Sequence, residues 1–308
     1  IDIYLLHNPE YYLKWAHAQG KSATEAREIF YARLKESFVY LEKAVEEGKI
    51  QYYGISSNTV GENPDHPEFI SVKELIKISN SVSKSSHFKV LQCPCNLIEN
   101  NVITNTNNEG KSVLEIAKES KLGVLINRPL NAIKNNKLVR LADYVLEDSV
   151  ATIEIEDDLA DLRLIESNFD SLKLEDLLED EVIVELKKVM LFSETLGDTW
   201  LSFDSIENWK SALARYIIPR ITYAFEFISQ QEKLQENQKE WFDSHLAQLN
   251  KVLRLIGVYY LTIAAGKSQN IKSIISETMT DWSDAYTLSQ TAIRALRSQR
   301  TISSILVG

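Results

Sequence analysis

No Gly-x-Gly occurs among the ten glycines of this 308-residue chain. That excludes the turn by which a doubly wound sheet sets its first helix on a pyrophosphate. No Walker loop is present, so the phosphate cradle of P-loop nucleotide hydrolases is absent too. Cysteine is scarce: only Cys93 and Cys95, with one residue between them. Neighbours on one strand make a poor disulfide and too small a metal set. They read as packed core residues and point to a reducing compartment, the cytoplasm. No apolar run approaches the ~20 residues of a membrane span. Positive charge is in deficit, with 34 Lys and Arg against 44 Asp and Glu, a net charge of −10. Nucleic acid and anionic membrane surfaces are therefore not expected partners. A leading methionine is missing as well. The chain opens "IDIYLLHNPE", inside an apolar strand, so we expect the inner part of a longer protein.

What is present is ordinary for a globular chain, with 44% hydrophobic and 25% charged residues. From Ile1 to about Ile133 strands alternate with helices. Ile3–Leu6, Ile50–Ser56, Phe88–Cys93 and Gly123–Asn127 read as strands. Ser22–Glu47 carries Ile29, Leu34, Phe38, Leu41 and Val45 at helical steps, and Gly48 stops it. Glu68–Ser79 and Lys111–Ser120 are further helices. From about Lys134 to Ser283 the pattern is almost wholly helical. Val182–Phe192, Ile206–Ile228 and Trp241–Ala264 are amphipathic, and Pro219 must kink or divide its helix. Asp284–Arg297 is a last helix and Ile302–Val307 a fifth strand. The organisation is thus 1–133 barrel-like, 134–283 a helical insert, and 284–308 the closing helix and strand.

Alternating strands and helices imply a parallel sheet. Without a Gly-rich turn, the expected architecture is a (β/α)8 TIM barrel, here partial, with five parallel strands. Chemistry in that fold sits at the C-terminal strand tips. The tips here end in His7, in Ser56, Ser57 and Asn58, in Gln92, and in Asn127 and Arg128. All should gather at one end of the sheet.

At these tips the chain resembles the aldo-keto reductases. "IDIYLLHNPE" resembles the family's fourth barrel strand, which ends on its active-site histidine. "LEKAVEEGKIQYYGISSNT" resembles the next helix and strand, and "KVLQCPCNL" the sixth strand. "AKESKLGVLINRPLNAI" resembles the seventh helix–strand pair, and "LSQTAIRALRSQRTISSILVG" the last. About half the chain is covered, with the five motifs in order. The resemblance implies a nicotinamide cofactor, usually NADP and otherwise NAD, that passes hydride to a carbonyl or sugar aldehyde. It implies that His7 orients the carbonyl oxygen, beside a tyrosine, lysine and aspartate that the family carries on its first three strands. Ser56, with Ser57 or Asn58, and Gln92 would bond the nicotinamide amide. Asn127 stands where many members stack an aromatic on the ring. Arg128 is read either as a pyrophosphate contact or as half of an ion pair. The alternative is a non-catalytic relative serving as a binding or regulatory subunit. A hydrolase of the same architecture would want paired carboxylates or metal ligands at the tips, and neither is seen.

The insert, with its own core, would act as a lid or a subunit interface. Its acidic stretch Glu154–Asp180 reads as a solvated helix face. Trp200, Trp209, Trp241 and Trp282 read as core or interface anchors.

Overall fold

A computed structural model describes residues 1–135, 137–146, 150–278 and 286–307. Trp282 and the expected helix start at Asp284 lie outside them. The described chain divides into two compact units, Ile1–Ala142 with Met279–Gly308, and Asp143–Thr278.

The first unit is α/β. Strand β1 (Ile3–His7) is followed by helices α1 (Tyr11–Ala18) and α2 (Ala23–Glu46), then by β2 (Tyr52–Ser56) and α3 (Val72–Val82). Next come β3 (Phe88–Pro94), the short α4 (Asn101–Thr104), α5 (Val113–Glu119) and β4 (Gly123–Asn127). A hairpin of β5 (Asn131–Lys134) and β6 (Lys137–Arg140) precedes the second unit, and it is antiparallel. The sequence pattern gave no hint of α1 or of this hairpin. Ser22, Ser71 and Ser112 begin α2, α3 and α5, each accepting the N–H of a glutamate three residues on. Among the described residues no helix is long and apolar enough to cross a membrane.

The sheet has five parallel strands in the order β1-β2-β3-β4-β7, β7 being Ile302–Ile305 after helix α12 (Leu288–Arg297). Sequential parallel strands with helical crossovers make a partial (β/α)8 barrel. Among the described residues β1 pairs only with β2 and is an edge strand. One face of the sheet is covered by helices. Ile55, Leu91, Cys93, Val124 and Ile126 pack there with Phe38, Leu75 and Ala117 from the helices.

Gly54 is demanded by the pairing of β2 with β3. A Cβ there would stand 1.9 Å from the Val90 carbonyl oxygen. The register slips between Tyr53 and Gly54 at the same place.

The second unit is helical: α6 (Thr152–Glu166), α7 (Asp180–Met190), α8 (Ser193–Thr199), α9 (Ile206–Ala212), α10 (Ile218–Ser229) and α11 (Glu236–Thr278). Pro219 does not break its helix: the backbone is helical without interruption from Ile206 to Ser229, but changes type just ahead of the proline. A π turn over Leu213–Ile217 joins α9 to α10, and the proline, which has no N–H, occupies the first turn of α10. Trp200 and Trp209 are buried in the core with Leu249 and Ile256, and Trp241 packs on a second cluster around Phe169.

The acidic stretch is not simply a solvated face. Glu166 is buried and accepts the N–H groups of Phe192 and Ser193 at 3.1 and 3.0 Å, which closes the start of α8. Asp158 is buried too, bonded to Lys251 at 2.5 Å and to Gln248 at 2.8 Å. Burial alone would raise its carboxyl, but these two partners outweigh that and hold it below the usual range.

Candidate active site

The C-terminal ends of β1 to β4 gather the polar tips. In the strand register His7 stands beside Ser56, Ser56 beside Gln92, and Gln92 beside Leu125. Side chains alternate along a strand, so Asn127 shares the face of Leu125. His7, Ser56, Gln92 and Asn127 therefore share the face opposite to that covered by helices.

Within the row, Gln92 Nε2 donates to Ser56 Oγ at 3.0 Å. Ser56 is 3% exposed, so this pair is held in a mostly dry setting. Among the described residues it is the only hydrogen bond of the Gln92 side chain. The Ser56 hydroxyl hydrogen and Gln92 Oε1 are thus left for a ligand. Asn127 Oδ1 is buried and has no hydrogen-bond partner among the described residues. An acceptor orphaned in this way calls for a donor. Together these atoms fit a carboxamide, which presents both a donor and an acceptor.

The loops behind the tips are tied together. Asn8 N–H donates to the Ser56 carbonyl at 2.8 Å, and Ser57 N–H to the Gln92 carbonyl at 3.0 Å. Asn8 adopts φ 48°, a left-handed conformation that asparagine tolerates. Glu10 is 1% exposed. Its Oε1 accepts the Asn58 backbone N–H at 2.9 Å and the Asn58 side-chain amide at 3.3 Å, while Asn58 also donates to Asn8 Oδ1 at 3.2 Å. Ser57 Oγ accepts the Thr59 N–H at 3.2 Å. The side chains of Ser57 and Asn58 are therefore engaged in the turn itself.

Arg128 makes the ion pair of its two readings. Its Nη2 donates to Glu99 Oε1 at 2.8 Å, and Glu99 Oε2 accepts from Asn96 Nδ2 and from the Ile133 N–H, each at 2.9 Å. Its Nε is buried without a partner among the described residues. Burial pushes both thiols up, Cys95 to about 12, so neither is a thiolate nucleophile at neutral pH.

Glu10 and Glu99 escape the sequence reading. Glu10 was visible only as the residue after a strand-ending Asn-Pro pair. Glu99 lies in a loop, 29 residues from the arginine it holds, and spacing cannot report such a pair.

Parallel βα units with polar tips at one end define the class as a protein of the (β/α)8 type. Residues 1–109 match the model of the aldo/keto reductase family. Over this part the chain is similar to the aldo/keto reductases, which supports an oxidoreductase of that type. It contains His7, Glu10, Ser56, Ser57, Asn58 and Gln92, while Asn127 and Arg128 lie beyond it. No curated protein and no solved structure matches the chain.

Proposed function

We propose that the protein is an NAD(P)-dependent oxidoreductase that moves hydride between a nicotinamide cofactor and a carbonyl or sugar aldehyde/alcohol. The observation that carries this is the row His7, Ser56, Gln92, side by side at the C-terminal ends of three adjacent parallel strands. When bound, the nicotinamide ring supplies or takes the hydride. Ser56 and Gln92 hold its carboxamide, with Asn127 Oδ1 as a further acceptor, and so set which face of the ring meets substrate. Ser57 and Asn58 serve the site by fixing the turn after β2. His7, exposed at the tip of β1, donates a hydrogen bond to the carbonyl oxygen and stabilises the charge that grows there. Arg128 in this scheme shapes the β4 loop through Glu99, and its free Nε is the atom left for a cofactor phosphate.

Titration of NADPH and of NADH, followed by nicotinamide fluorescence, tests the proposal. Saturable binding of at least one, NADPH the tighter, is expected. Absence of binding by both overturns it. In protein turning over a carbonyl substrate, His7→Ala should lower kcat by roughly 10²–10⁴, the worth of a lost acid–base or oxyanion group.

A further inference from the structure

At the other end of the sheet the first unit has a cavity of about 470 Å³, bordered by the N-terminal ends of β2 and β3 and the loop between α3 and β3. Its lining is one-sided in charge. Lys84, His87 and Lys89 line it, and no carboxylate does among the described residues. The whole chain, by contrast, carries a net charge of −10. Neither lysine has an ion pair or hydrogen bond among the described residues, although acidic partners abound elsewhere.

The imidazole is aimed by a buried acid. Glu42 is 8% exposed, and its Oε2 meets His87 Nδ1 at 2.8 Å. Its Oε1 accepts the His87 backbone N–H at 2.8 Å and the Tyr53 hydroxyl at 2.9 Å. Burial opposes the charge on Glu42, but the bonds from His87 and Tyr53 outweigh it and hold the carboxyl below the usual range. An ionised carboxylate only accepts, so the hydrogen sits on Nδ1 and Nε2 is the ring atom left for a ligand.

Loop backbone adds donors. The N–H groups of Lys84, Ser85 and Ser86 make no hydrogen bond among the described residues. Successive N–H groups without a protein partner beside two lysines suit an anion with more oxygens than a carboxylate has. Tyr52, Ile76 and Leu122 supply an apolar wall.

We propose that this cavity is a second ligand site, separate from the row at the strand tips. It binds the phosphate group of a small organic phosphate whose apolar body lies on Tyr52, Ile76 and Leu122. The two lysines and the loop N–H groups donate to the oxygens of the singly protonated phosphate, and its remaining O–H donates to His87 Nε2, the ring acceptor. Because the N-terminal face of such a barrel carries stability and not chemistry, the ligand acts by stabilising the folded chain through mass action.

Calorimetric titration of phenyl phosphate into the full chain, with phenol as control, tests this. Saturable binding of phenyl phosphate alone is expected, with a rise in Tm. The double variant Lys84→Ala with Lys89→Ala should bind ~10-fold more weakly or worse, having lost two charge-assisted contacts. Both lysines are exposed, so that variant keeps its fold, checked by an unchanged Tm without ligand. Gln92→Ala should bind phenyl phosphate as the parent does, which separates this site from the proposed cofactor site. No saturable binding, equal binding of phenol, undiminished affinity in the double lysine variant, or loss in Gln92→Ala overturns the proposal.

Discussion

Glu10 Oε1 accepts the backbone N–H of Asn58 at 2.9 Å, joining the loops after two neighbouring strands across 48 residues of chain. The carboxylate has a single engaged oxygen, since Oε2 is buried without a partner among the described residues. Glu10→Ala should therefore lower stability by about 1–3 kcal/mol, the cost of leaving a half-buried donor unpaired. Glu10→Gln should be close to neutral, because its amide oxygen can take the place of Oε1. Urea unfolding of the two variants checks this, and equal losses would mean that charge, not the acceptor, holds the turn.

A different effect is expected at Gln92. Its carboxamide stabilises little by itself, because its one bond among the described residues is to Ser56 Oγ. Gln92→Ala should weaken NADPH binding by about 1–3 kcal/mol, as a cofactor amide loses a buried partner. Fluorescence titration reads the change. Affinity equal to that of the parent would remove Gln92 from the site.

The strands and their tips were legible because two periodicities coincide in this chain. Alternation along β3 places Leu91 and Cys93 on the covered face and Gln92 on the other. A polar residue at an apolar strand's end thus stands out. Pro219 was legible only in part, because the helix changes type just ahead of it without breaking. Long-range pairing was not legible. Nothing local to Arg128 announces Glu99, and nothing local to Glu166 announces the start of α8. Both acids look like surface residues until the chain has folded around them. The β5–β6 hairpin lacks the Asn-Gly type of turn that marks such elements, and its strands are only four residues each.

Acid should test the Glu42 network. Its carboxyl is held below the usual range in the folded chain, despite burial, by His87 and Tyr53. A group depressed on folding contributes stability that is complete above the ordinary carboxylate range and is lost as pH falls through its lowered value. Glu42→Gln should be less stable than the parent at pH 7. The gap should narrow as pH drops below the usual carboxylate range, since the parent alone loses this contribution. Parallel pH series of urea unfolding measure the gap. A gap constant from pH 7 to acid would show that Glu42 is not ionised in the folded state.

The most severe single change should be the smallest. Gly54 sits where β2 lies against β3, and an added Cβ would meet the Val90 carbonyl oxygen at 1.9 Å. That obstacle is backbone, so no rotamer change relieves it. The strands must part, and the bonds that run from this point toward Ser56 and Gln92 move with them. Gly54→Ala should cost about 3 kcal/mol or more, above the ~1 kcal/mol centre for point variants. It should also weaken NADPH more than Gln92→Ala does, because it displaces Ser56 and Gln92 together. Denaturant unfolding and cofactor titration of this one variant read both effects. A loss near 1 kcal/mol with cofactor affinity intact would show that β2 and β3 accommodate a methyl group, and that the row of His7, Ser56 and Gln92 does not depend on their close approach.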